Sequence, residues 1–118
     1  ITPLYHAITK GHLETVTYLL EKGADADVSI DCTPLHCVAE TGDTRIITLL
    51  LSRGARVDVA TRRGTALRVA AGHGNPDAVK VLLDHGANPN IVSSEGMHRP
   101  LMSAIAAKSS ECVELLLQ

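Results

Sequence analysis

Cys32, His36 and Cys37 fall within one six-residue stretch, and thiols beside an imidazole are ligands that zinc favours. The spacing argues against it: the two cysteines are five apart, not the three of a Cys-x2-Cys pair, and no fourth ligand follows. With Cys112 they make an odd, unevenly spaced set of three. Such a set is no disulfide framework and implies a reducing compartment, cytoplasmic or nuclear. Six histidines, at 6, 12, 36, 73, 85 and 98, are scattered over the chain. They form no Ser-His-Asp order, and neither paired acids nor a phosphate loop can be defended. Gly72-His73-Gly74-Asn75-Pro76 is glycine-rich, but it reads as a turn between helices, with Asn75 as N-cap and Pro76 at the first helical position. No catalytic, cofactor or metal site emerges, and the chain is not read as an enzyme. What remains is recognition. Arg62, Arg63 and Arg68 form a basic cluster on a chain of net charge −2. Guanidinium groups grip carboxylates and phosphates with two bonds each, so an acidic or phosphorylated protein segment is the expected partner; the competing reading is a solvated loop charge. The net charge and an aromatic content of 2% argue against nucleic acid and membrane as partners.

The scaffold that must hold these residues is clearest in residues 33–55, TPLHCVAETGDTRIITLLLSRGA. Thr33 suits an N-cap, and Pro34 the position after it, where its missing N–H costs nothing. Leu35, Val38 and Ala39 then share a face at helical spacing. Gly42 ends this short helix and Asp43 can cap a second. Ile46, Ile47, Leu49, Leu50 and Leu51 give the second helix a wide apolar stripe, and Gly54 suits the left-handed position beyond its end. Each helix is about ten residues, too short to stand alone in water, so the pair needs neighbours.

Neighbours follow from repetition. Thr2-Pro3-Leu4, Thr33-Pro34-Leu35, Thr65-Ala66-Leu67 and Arg99-Pro100-Leu101 open four units, hereafter units 1 to 4. In the first three, a glycine stands nine residues after the opener (Gly11, Gly42, Gly74). In all four, Val or Ile stands at plus fourteen (Val16, Ile47, Val79, Val113), and a leucine pair begins at plus seventeen in units 1, 3 and 4 and covers Leu50-Leu51 in unit 2. The openers step by 31, 32 and 34 residues, so length varies only in the connectors. The approximate unit boundaries are 1–27, 28–58, 59–90 and 91–118.

A Thr-Pro-Leu-His opener, then a glycine, a Val-x-x-Leu-Leu run and Gly-Ala resembles the ankyrin repeat, whose period is about 33 residues. The resemblance covers nearly all of the chain. It implies an all-α solenoid of stacked helix-turn-helix units joined by extended, hairpin-like loops, and a non-catalytic interaction scaffold. A structural spacer or adaptor segment of a larger protein is the alternative. Only unit 2 keeps the full opener; Tyr5, Arg68 and Met102 replace its histidine elsewhere, and unit 4 has Arg99 for the capping threonine and Lys108 for the glycine. Looser local order is expected there. Residues 74–90, GNPDAVKVLLDHGANPN, with residues 99–105 also resemble plant ankyrin proteins that carry a tetratricopeptide region, which implies a chaperone-linked adaptor.

The resemblance further implies a concave binding surface made of connector tips and the outward side of the first helix in each unit. The connectors are residues 28–32, 59–63 and 92–98, carrying Ile30, the arginine pair, and Met97 with His98. The expected outward helix positions are His6, Thr9 and Lys10; Cys37, Glu40 and Thr41; Val69, Gly72 and His73; Ser103, Ala106 and Ala107. The chain opens without Met and stops before the glycine that would close unit 4. It is therefore read as a segment of a longer protein, with both outer faces apolar and self-association through them expected.

Overall fold

A computed structural model describes residues 3–23, 33–61, 64–91 and 99–117. They form eight helices: α1 (Pro3–Thr9), α2 (Leu13–Glu21), α3 (Pro34–Thr41), α4 (Thr44–Ser52), α5 (Ala66–Gly72), α6 (Pro76–Asp84), α7 (Pro100–Ala106) and α8 (Ser110–Leu117). Odd and even helices pair within each unit. Across units, α1, α3, α5 and α7 pack in one row and α2, α4, α6 and α8 in a second. The result is the expected all-α stack, two helical layers deep. A single antiparallel bridge, Thr61 to Gly64, closes the connector before unit 3 and is the extended element among the described residues.

The opener chemistry explains where the inner helices begin. The Thr33 hydroxyl accepts from the His36 amide at 3.2 Å, and Thr65 accepts from the Arg68 amide at 3.3 Å. Arg99 starts α7 without a side-chain cap. The core runs unbroken between the layers: Ile8, Val16, Val38, Ile46, Ile47, Leu50, Leu67, Val79 and Leu82 are fully enclosed or nearly so. It needs no large aromatic, because short helices in register leave gaps that Leu, Ile, Val and Ala fill.

Asp43 caps α4. Its carboxylate accepts from the amides of Arg45 (3.1 Å) and Ile46 (3.4 Å) and from the Arg45 guanidinium (3.2 Å). Partial burial pushes its pKa up, but the Arg45 and Ile46 bonds outweigh this, and the net displacement is below the ordinary value of 3.8. A carboxylate held low in the folded state contributes stability above its unfolded pKa and loses it as pH falls through the folded one. Asp43→Ala is therefore expected to cost about 1 kcal/mol at neutral pH. Urea melts at stepped pH should show the deficit shrinking once pH drops below 3.8.

Unit 4 lacks the turn glycine, yet both of its helices form. Lys108 takes φ +59°, the left-handed conformation that Gly11, Gly42 and Gly74 adopt at +70°, +82° and +66°. A side chain there is strained against its own carbonyl. Lys108→Gly should stabilise the chain by roughly 0.5–1 kcal/mol, because strain relief exceeds the added freedom of the unfolded glycine. A rise of a few degrees in thermal midpoint is the expected readout.

Candidate functional surface

His36 is the most constrained polar side chain of the opener positions. It is 1% exposed. Its Nε2 lies 2.7 Å from the Gly64 carbonyl, an acceptor, so that nitrogen carries the proton. Nδ1 is then the acceptor, and the Thr33 hydroxyl donates to it at 2.6 Å. The same hydroxyl oxygen accepts from the His36 amide. One imidazole thus ties the unit 2 opener to the connector that enters unit 3. Both ring nitrogens face protein partners, and Cys37 beside it is buried in the core.

Gly64 sits at the base of that connector with φ +85°, and a Cβ there would stand 2.6 Å from Arg68 Cδ. The Arg68 stem therefore runs, half-buried, against the base of the connector. Arg62 and Arg63, between Thr61 and Gly64, lie outside the described residues, as do Ile30, Met97 and His98.

The outward surface of the inner helices is narrower than the resemblance implies. Cys37 and Val69, expected to face out, are each 4% exposed. Their position, four residues after the opener, is buried in both units, and in α3 every residue from Pro34 to Ala39 is buried. Two positions per unit are truly outward. They hold Thr9 and Lys10, Glu40 and Thr41, Gly72 and His73, and Ala106 with a half-buried Ala107. His6, next to the first pair, is exposed, and Ser103 is half-buried. Tyr5, which the spacing did not single out, is 37% exposed at the start of α1.

Units 2 and 3 meet on this surface. His73 Nδ1 donates to the Val69 carbonyl at 2.9 Å, which orients Nε2 to within 3.8 Å of the Glu40 carboxylate. Asn75, expected to cap α6, does not. Its amide nitrogen reaches back to the carbonyls of Ala39 (3.0 Å) and Glu40 (3.1 Å), which have no helical partner at the end of α3. The bond locks the end of one inner helix to the turn of the next and fixes Glu40 relative to His73. Both side chains remain nearly half exposed, so they can meet a ligand.

This is a row of stacked helix pairs with an exposed ledge along one layer and no metal-binding cluster among the described residues. A family model for ankyrin repeats matches in three overlapping copies, over residues 1–61, 27–93 and 59–118. The chain belongs to the ankyrin-repeat family, which generally mediates protein–protein interaction and is typically non-catalytic. No curated protein matches the sequence, and the narrower resemblance to plant adaptors gains no support. No helix among the described residues is long and apolar enough to cross a membrane.

Proposed function

We propose that the chain is a protein-binding module that grips a partner segment along the inner-helix ledge. The observation that supports this is the ledge itself. Lys10, Glu40, Thr41, Gly72 and His73 are exposed at matching positions in three units, whereas the α3 residues from Pro34 to Ala39 are buried. Side chains held at a fixed pitch on a rigid stack are pre-ordered, so a ligand need not be met by a mobile surface. The ligand is an acidic or phosphorylated protein segment, contacted by Arg68 and by Arg62 and Arg63 of the adjoining connector. Cys37 is withdrawn from this surface by its burial; Ile30, Met97 and His98 extend it at the connectors. The compartment is cytoplasmic or nuclear, in keeping with three cysteines that make no framework.

Affinity capture from a cytosolic extract tests the reading. Arg62→Glu, Arg63→Glu and Arg68→Glu together should release the partner, with the helical circular dichroism unchanged. Thr48→Glu and Lys80→Glu, exposed on the outer helices α4 and α6, should leave binding intact. Retention by the arginine variant, or equal loss in both, would remove the ledge and its connector as the binding surface.

A further inference from the structure

Glu40 is an acidic residue on a ledge that is to hold an acidic segment, and it stands beside His73. The neutral form of that imidazole is fixed by its backbone bond. Nδ1 donates to the Val69 carbonyl, so Nδ1 carries the proton and Nε2 presents a lone pair. That lone pair lies 3.8 Å from a Glu40 carboxylate oxygen. Two acceptors therefore face each other, and no hydrogen bond joins them. A proton on Nε2 turns the same contact into an ion pair, with both ring nitrogens donating.

The backbones beneath the two side chains are clamped. Asn75 Nδ2 donates to the carbonyls of both Ala39 and Glu40. The Asn75 side chain also packs closely on the end of α3, where a Cβ at Gly42 would stand 3.2 Å from its Cγ. Other charged and titratable groups around α5 stand elsewhere. In α3, His36 is buried at the opposite end against Gly64. Arg68 lies in the first turn of α5 itself. In α6 the charged residues are Asp77, Lys80 and Asp84, all exposed. Helix α7 carries none, with Arg99 before it and Lys108 after it. The structure sets Glu40 against the ring.

We infer that Glu40 and His73 form a proton-controlled specificity element: Glu40 opposes an acidic segment while His73 is neutral, and protonation of His73 cancels that opposition. The inference rests on the ledge being the binding surface for such a segment. The sign follows from the charges. With His73 neutral the pair holds one negative charge, and with His73 protonated it holds none. Both side chains are nearly half exposed, so solvent screens the effect, and a change of about threefold in affinity is expected at low salt.

Fluorescence anisotropy of a labelled hexaglutamate peptide on the 118-residue chain tests this at low ionic strength. The comparison is between about pH 8 and about pH 6, where imidazoles change charge and carboxylates do not. A carboxylate probe is used because a phosphate monoester itself titrates near the lower value. The native chain should bind about threefold more tightly at the lower pH. His73→Gln should lose most of that gain. Glu40→Gln should bind at the higher pH as tightly as the native chain does at the lower, with circular dichroism unchanged in both variants. A full pH response in His73→Gln would assign it to other imidazoles, such as exposed His6, and overturn the inference. So would native affinity of Glu40→Gln at the higher pH. A chain that binds no hexaglutamate at either pH would instead overturn the ledge as a site for acidic segments, and this inference with it.

Discussion

Replacing His36 by alanine should lower stability by about 3 kcal/mol and the thermal midpoint by roughly 10 °C or more. The residue is buried, and its ring joins two backbone segments 28 residues apart through Gly64. Alanine leaves the Gly64 carbonyl without its imidazole donor and the Thr33 hydroxyl without its acceptor, both in enclosed surroundings, and it leaves a cavity as well. The Gly64 carbonyl keeps the Thr61 amide as a donor at 3.0 Å, so the cost is that of the two lost bonds of the ring and the cavity together. The same substitution at Arg68, three residues after the unit 3 opener, meets a half-buried side chain whose stem lies over Gly64. It should cost no more than about 1 kcal/mol. Urea unfolding of the two variants, followed by far-ultraviolet circular dichroism, measures the contrast. Similar losses at both positions would mean that side-chain volume, rather than the bonding of the ring, decides the cost.

That contrast also marks how far sequence reasoning reaches in this chain. Offsets of nine, fourteen and seventeen residues set the helix pairs, and Thr33 and Thr65 cap where their spacing indicates, because these are local rules. A cap needs only its own first turn. Asn75 departs from its expected role because the choice is not local. Its amide can serve its own helix or the orphan carbonyls at the end of α3, and the packing of two units brings Ala39 and Glu40 within reach. Cys37 and Val69 were misplaced for the same reason. The resemblance places them on the outward side, but the stack buries both. The leading face is expected to be apolar from reading the chain as a segment whose outer faces neighbours would cover. His6 and Thr15, both exposed, become visible as departures only when set beside buried Cys37 and Ile46, and that comparison requires knowing which positions the stack buries. The roles expected of Ile30, Arg62, Arg63, Met97 and His98 in the connectors rest on residue chemistry alone.

Ile47→Ala is expected to cost about 3 kcal/mol, the range for removing a fully enclosed branched side chain that its surroundings cannot refill. Ile47 is 0% exposed between layers in an interior unit. Stability in a stacked array is shared with nearest neighbours, so the loss weakens the contacts of unit 2 on both sides and should broaden or split the unfolding transition. Val113 occupies the same place in unit 4, but it is only half-buried beside exposed Ile105 and Leu117. Val113→Ala removes less enclosed apolar surface, and about 1 kcal/mol is expected. Paired urea melts on the 118-residue chain give both numbers under one condition. Both changes truncate the same part of the helix, and the one methylene more that Ile47 loses accounts for about 0.8 kcal/mol of the difference. A threefold difference places the trailing face in water. A Val113 cost approaching that of Ile47 would show that the side chain is enclosed in solution, and the leucine and isoleucine columns of unit 4 would then already have a cover.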